Sequence, residues 1–401
     1  MYTSHDSCNS LRSGVCQAAI TKSQMNSTIL KHIILRTLGC LLASLAVLEA
    51  HAAGTTDRIV VSAAKLNPGG ETATITVGIE GNTLYSAYEM DLTLPEGVSI
   101  VSNANGNPDV SMVKGANGIY PYTTDDDGEK TYSHLFGCSY NAVGANVLRV
   151  SCISTASEDF TATSGNLFRF TVKASSYTRP SDLNITVSNY HLITKNATQN
   201  TPSEQPVGSV TVTDECTVPV SVSATNQYGT LVLPFAVTSV PAGLTVYSVE
   251  SVNGDEIQLQ QQESIEAFTP YILYAENGIV GKFTGKVDAA KWVDTATKGA
   301  LIGCLVAKSV TEGFILQNKG EGAQFYMVAP YTYTLNAGKC YMKLDGDVTY
   351  ARLRWTNSDT VNSIDDVETT HDDALFSLEG LRITRPQHGH IYIKDGKKII
   401  Y

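Results

Sequence analysis

Apolar and polar residues alternate one by one along much of this chain. In 72–79, Ala73, Ile75, Val77 and Ile79 fall on one side and Thr72, Thr74 and Thr76 on the other. In 88–94, Tyr88, Met90, Leu92 and Leu94 alternate with Glu89, Asp91 and Thr93, and Phe168, Phe170 and Val172 repeat the pattern after Ser164-Gly165-Asn166. A period of two is the mark of a strand, whose successive side chains point to opposite faces. The same pattern predicts strands at 59–63, 131–139, 147–154, 184–187 and 209–213, with Pro95-Glu96-Gly97 as a turn. Each of these strands has one apolar face, which a second sheet must cover, so residues 57–213 are expected to form a β-sandwich. Only 288–297 keeps a helical period for longer than a turn or two. The expected fold class is all-β.

A second β-rich domain is expected over 218–347, with Val232, Phe235, Val246, Ile272 and Leu301 in its core. Pro234 and Pro270 suit turns and strand edges, because proline has no N–H to give to a sheet ladder. Residues 348–373 read as a linker, with Ile364-Asp-Asp-Val-Glu as an acidic connector. The last segment, 374–401, reads as two short β-hairpins around a Pro386 turn. In the second, 390–394 and 397–401 flank Asp395-Gly396, a pair that favours a type I′ turn.

The N-terminal residues change the expected compartment. Lys31 and Arg36 precede an uncharged run from Thr37 to Leu48, followed by Ala50-His51-Ala52. That order is a signal peptide with an Ala-x-Ala cleavage site, so 1–52 is expected to be removed, with Met25 a possible start. A lipoprotein reading at Leu38-Gly39-Cys40 stays open. The apolar run is shorter than the ~20 residues a spanning helix needs, and no membrane span is expected in the mature chain.

The net charge of −11 argues against nucleic acid and against an anionic membrane surface as partners. Cleavage would leave Cys138, Cys152, Cys216, Cys304 and Cys340. Export permits pairing. Cys138 and Cys152, either side of the turn-rich segment 141–146, are the candidate disulfide. The alternative is that the cysteines are small buried hydrophobes.

Two resemblances add to this reading. Leu378, Gly380, Arg382, Pro386, Gly389, Tyr392, Ile393, Gly396, Lys397 and Lys398 match, in order, a C-terminal sorting-type module of exported Bacteroidetes proteins. Leu381 and His390 are extra residues relative to that pattern. The resemblance implies a cell-surface or extracellular location, and recognition of the tail by export or anchoring machinery through Lys394, Lys397 and Lys398. Further upstream, Ala87-Tyr-Glu-Met-Asp-Leu-Thr-Leu-Pro95-Glu-Gly97-Val98 and Gly165-Asn-Leu-Phe-Arg-Phe-Thr-Val172-Lys resemble strand blocks of cohesin-like domains, which relate in fold to carbohydrate-binding sandwiches. Residues 57–213 are the extent of that resemblance. The segments 228–235, 241–247 and 267–273 resemble a β-rich module found ahead of the same tail.

Signatures of catalysis are absent: there is no His-Glu-x-x-His, no Gly-x-Ser-x-Gly and no phosphate-cradling glycine loop. No metal or other cofactor is expected from spacing alone. The densest unusual segment is 119–129. There Tyr120 and Tyr122 offer flat rings for sugar stacking, and Asp125, Asp126 and Asp127 offer oxygen ligands for calcium. The alternative for the same residues is a plain acidic hairpin turn around Asp127-Gly128. Together these readings point to a non-catalytic, exported binding protein whose cohesin-like domain recognises a surface protein or a polysaccharide. A structural adhesin component and a glycan-acting hydrolase are the competing classes.

Overall fold

The structure, a computed structural model, describes residues 56–320, 322–344 and 349–355 and, in the C-terminal segment, the backbone of 375–376, 382–383, 391–394 and 397–400. The expected signal peptide (1–52), residues 356–373 of the expected linker and the side chains of Lys394, Lys397 and Lys398 lie outside the described residues; residues 350–355, expected as linker, are instead a strand of the second body's sheet. Among the described residues there are strands, turns and two short 3-10 segments but no α-helix, and none long and apolar enough to cross a membrane. The fold is all-β.

Fourteen strands build the first body. They are β1 (Arg58–Val61), β2 (Ala64–Leu66), β3 (Ala73–Glu80), β4 (Ala87–Thr93), β5 (Val98–Ile100), β6 (Val110–Met112), β7 (Tyr122–Thr124), β8 (Lys130–Tyr132), β9 (His134–Tyr140), β10 (Val147–Ser154), β11 (Gly165–Ala174), β12 (Ser181–Ile193), β13 (Gln199–Asn200) and β14 (Val207–Val212). One sheet runs β1-β3-β11-β5, with β6 also on β11. The other runs β2-β14-β12-β4-β10-β9, with β13 on β12. The alternating apolar faces meet between them. Ile75, Val77, Phe168, Phe170 and Val172 from the first sheet pack with Tyr88, Met90, Leu92, Leu148, Val150, Ile185 and Val187 from the second, all at 0% exposure. β11 departs from simple alternation. Its register on β3 shifts between Asn166 and Phe168, so Leu167 is an extra residue. Leu167 is nonetheless buried, and its carbonyl accepts from the Val113 N–H (2.9 Å) and from the Tyr120 hydroxyl (2.9 Å).

The second body starts two residues after β14, with β15 (Glu215–Val222). It continues through β16 (Tyr228–Val232), β17 (Thr245–Asn253), β18 (Glu256–Gln262), β19 (Pro270–Tyr274), β20 (Ile279–Lys286), β21 (Thr295–Lys298), β22 (Leu301–Cys304), β23 (Lys308–Val310), β24 (Phe314–Asn318), β25 (Ala323–Met327), β26 (Tyr333–Leu335), β27 (Lys339–Met342) and β28 (Tyr350–Trp355). β15 and β20 form a two-stranded ribbon, and β23 pairs with β26. The remaining ten form one sheet in the order β16-β19-β17-β18-β28-β25-β24-β27-β22-β21. β16 and β19 are buried on both faces. Leu231, Tyr271 and Leu273 pack with Val218, Val220 and Phe283 of the ribbon, while Val232 and Ile272 pack with Leu301, Phe325 and Met342. This double burial explains why 231–233 and 271–273 read as continuous apolar runs. Val232, Phe235, Val246, Ile272 and Leu301 are all buried. The helical period at 288–297 yields only a 3-10 turn, Ala289–Lys291, whose start is capped by the Asp288 carboxylate; β21 begins at Thr295.

The C-terminal segment is a compact unit of its own, from Trp355 to Tyr401. Its strands β29 (Leu375–Phe376), β30 (Arg382–Ile383), β31 (Ile391–Lys394) and β32 (Lys397–Ile400) form a sheet in the order β30-β29-β31-β32. β31 and β32 are antiparallel, with Lys394 paired to Lys397.

Candidate functional site

Among the described residues, the outer face of the sheet containing β9, β10, β4 and β12 is the best-built surface. Their registers align side chains into rows. Leu135, Ile153, Ala87 and Ile193 make an apolar row. The next row is Gly137, Ser151, Glu89 and His191, and the third is Ser139, Arg149, Asp91 and Ser188. A fourth runs Val147, Thr93, Thr186 and Val207. Successive rows lie about 7 Å apart along the strands. Leu135 is 42% and Val207 53% exposed, so apolar side chains stand at both ends of the face.

The charged centre of this face is rigid. Asp91 occupies a position that alternation assigns to solvent, yet it is only 4% exposed. Arg149 grips it with two parallel hydrogen bonds, Nε to Oδ1 (2.7 Å) and Nη2 to Oδ2 (2.8 Å), and the Asn189 amide donates to Oδ2 (2.8 Å). Asn189 reaches there because β12 shifts register between Ser188 and His191. It sits at φ 49°, a conformation asparagine tolerates better than most residues. Burial pushes the Asp91 carboxyl up, but the Arg149 and Asn189 hydrogen bonds more than offset this and hold it below the ordinary carboxylate value. The hydrogen bond to Asp91 raises Arg149 in turn. Arg149 spends two of its five N–H donors on Asp91, and its side chain is 39% exposed. One row away, the Gln199 amide donates to His191 Nδ1 (2.6 Å). The result is a pre-positioned donor two rows from an apolar row on one sheet face, suited to an extended surface rather than to a small molecule. Two cavities lie elsewhere. One of about 490 Å³ is lined by Leu94, Glu96, Val98 and Asn146, and one of about 310 Å³ by Ser176, Tyr177, Thr230 and Lys339.

The tyrosines and aspartates of 119–129 singled out from sequence are not on this face, and several readings are corrected. Tyr120 is not a surface platform: it is 3% exposed, with its hydroxyl 2.7 Å from that of Tyr88 and its ring edge-on to Phe160 at 5.4 Å. Its apolar ring and single hydroxyl suit the core because Leu167 O and Tyr88 satisfy the polar end. Tyr122 is 42% exposed on the β7–β8 hairpin, but Lys130 Nζ sits 4.2 Å from the centre of its ring and Tyr132 packs at 5.3 Å. Of the two readings of the acidic segment, the geometry is that of the turn. Asp125 Oδ1 accepts from the N–H groups of Asp127 (3.1 Å) and Glu129 (2.7 Å), and Gly128 takes φ 82°. Asp126 and Asp127 are exposed at its tip. Among the described residues no three His, Cys, Asp or Glu side chains converge as a metal site.

The candidate disulfide is also corrected. Cys138 lies on β9 and Cys152 on β10, but Cys138 faces Val150 and Cys152 faces Phe136, and both are thiols. Diagonal neighbours on adjacent strands are ~7–8 Å apart, beyond ordinary disulfide reach. Cys152 is buried, which pushes its thiol up to about 12. His134 is a core residue. Its ring nitrogens lie 3.1 Å from Ser86 O and from Ser133 Oγ, and burial lowers its pKa.

No family model matches this chain, and no curated protein matches it. Similar solved structures include a non-cellulosomal cohesin from the hyperthermophilic archaeon Archaeoglobus fulgidus, at 15% identity over 39% of this chain and 91% of that one, with a TM-score of 0.28. A type I cohesin–dockerin complex from Clostridium thermocellum matches at 12% identity over 39% and 99%, with a TM-score of 0.29. A type II cohesin module from an adaptor scaffoldin of Acetivibrio cellulolyticus matches at 16% identity over 38% and 95%, with a TM-score of 0.27.

Proposed function

We propose that this chain is a non-catalytic, exported binding protein whose sandwich takes a folded protein partner on the face formed by β9, β10, β4 and β12. The observation that carries this reading is the row pattern: Arg149, fixed by buried Asp91 and by Asn189, stands two rows from the apolar line Leu135-Ile153-Ala87-Ile193. An anchored arginine on the same face as apolar side chains is a combination found in energetically dominant interface centres. The resemblance of 87–98 and 165–173 to cohesin-like strand blocks favours the same class of partner. The second body serves as a spacer or a second recognition unit. Tyr331 (77% exposed) and Tyr333 (44%) favour a second reading, polysaccharide binding by the second body through ring stacking.

The test uses the immobilised chain, cell-surface extract and a double variant, Leu135→Asp with Ile153→Asp. Both positions point outward, so the variant is expected to fold. A partner captured by the wild type should lose at least ~30-fold in affinity to the variant, the cost of about 2 kcal/mol for an interface centre. Equal binding by the two proteins contradicts the reading. Retention on a glycan array, abolished by Tyr331→Ala with Tyr333→Ala, favours the second one.

Location completes the proposal. Residues 1–52 direct export in a Bacteroidetes-type host, and 374–401 engage export or anchoring machinery through Lys394, Lys397 and Lys398. The paired strands β29–β32 support a tail that folds by itself, although a unit this small has little core of its own. Deleting 374–401 should therefore leave thermal unfolding of the rest within about 2 °C of wild type while removing the protein from the cell surface. Normal display with a fall of ~10 °C is the opposite outcome and assigns the tail a structural role.

A further inference from the structure

We propose that Tyr177 locks the sandwich and the second β body into one rigid, cooperatively unfolding unit. Modules joined end to end move independently by default, unless the interface between them is large and apolar. Here the connection itself is short, because β14 ends at Val212 and β15 starts at Glu215. The sandwich then sends the loop between β11 and β12 into the second body. Tyr177 on that loop packs against both main hydrophobic cores of the second body, and its hydroxyl donates to the Val232 carbonyl (3.0 Å).

The receiving surface is shaped for this ring. Gly338 sits at φ 82°, and a Cβ there would lie 2.1 Å from the Tyr177 hydroxyl oxygen. The Gly338 N–H donates to the Cys304 carbonyl (2.7 Å), and its carbonyl accepts from the Val232 N–H (3.1 Å). The turn that cradles Tyr177 is therefore fastened to β16 and β22. Further contacts flank the lock. Cys216 Sγ donates to Ser176 O (3.1 Å), Arg179 Nη2 to Ala289 O (3.1 Å), and the Thr217 N–H to Pro68 O (2.8 Å). Gly69 is equally constrained: a Cβ there would lie 2.0 Å from the Thr217 carbonyl oxygen. A half-buried ring with a satisfied hydroxyl, packed against two cores and meeting backbone that admits no side chain, opposes a hinge at this junction. The consequence is that whichever surface of the sandwich meets a partner is held at a fixed angle to the second body. This inference does not depend on the binding-face reading.

Calorimetry of the full chain should show one main transition for the two bodies together. Tyr177→Ala should split it in two, with the lower transition ~10 °C below the wild type, because truncating a large half-buried ring removes the packing and the hydrogen bond that join the two bodies. Tyr177→Phe keeps the packing and should keep one transition. Spin labels at Lys173→Cys and Lys282→Cys, in a chain with Tyr177 intact, should give one narrow distance distribution, which decides the matter even if Tyr177→Ala does not fold. Two resolved wild-type transitions, a broad distance distribution, or a Tyr177→Ala protein with a single transition at an unchanged Tm overturns the proposal.

Discussion

Phe168→Ala is expected to lower the stability of the sandwich by about 3–5 kcal/mol and its Tm by roughly 10 °C. Phe168 is fully buried on β11 and joins the two sheets. Its ring lies 6.0 Å from Tyr88 of the facing sheet, 6.0 Å from Phe136 and 6.4 Å from Phe170. Tyr88 continues the cluster to Phe160 at 6.2 Å. Removing Phe168 opens a cavity at the centre of this cluster, and regular strands on both sides restrict collapse into it. Phe168→Leu refills most of the volume and should cost less than half as much. Chemical denaturation of the three proteins checks the order. A loss below ~1 kcal/mol for Phe168→Ala contradicts the close-packed centre.

Asp57→Ala is the second large effect, about 2–4 kcal/mol at pH 7. Asp57 is 3% exposed just before β1. Its Oδ1 accepts from the Asn82 N–H (2.7 Å) and its Oδ2 from the Tyr85 hydroxyl (2.6 Å), while Asn200 in turn donates to Tyr85 (3.3 Å). A Cβ on Gly81 would lie 2.0 Å from Oδ1, so the loop between β3 and β4 closes around the carboxylate. Alanine leaves these donors buried without an acceptor. Burial pushes the Asp57 carboxyl up, but hydrogen bonds from Thr83, Tyr85 and Asn82 more than offset it and leave it below 3.8. An acid with a depressed folded pKa contributes stability that is fully present above its unfolded value. That contribution is lost as pH falls through the folded value. Wild type should therefore lose stability below about pH 4 more steeply than Asp57→Asn, which has no charge to lose. Parallel acid limbs for the two proteins contradict the assignment.

The sandwich was legible because its strands follow period two and its apolar faces need cover. The features that define the candidate site were not. Asp91 sits on the polar side of its strand, and nothing local separates it from Glu89 or Thr93. Its burial depends on Arg149, 58 residues away, and on Asn189, 98 residues away. Asn189 also hides the length of β12, since the register shift interrupts alternation just where a strand over 184–187 would be extended. Tyr120 and Tyr122 look alike in sequence, two residues apart. Yet Tyr120 reaches into the core next to the extra residue Leu167, whereas Tyr122 begins a hairpin outside it. The acidic turn was readable in principle, because an aspartate that accepts from N–H groups two and four residues on is common turn chemistry. In the second body, the ten-stranded order joins β18 to β28 across most of the domain, a pairing no local pattern records.

Amide hydrogen exchange of the wild-type chain, with and without the captured partner, tests the binding face most directly. Exchange should slow along β4, β9, β10 and β12, centred on the rows through Ile153 and Arg149, with 331–333 unchanged. Protection confined to the Tyr331–Tyr333 region or to the β7–β8 hairpin, with no change on those four strands, contradicts it.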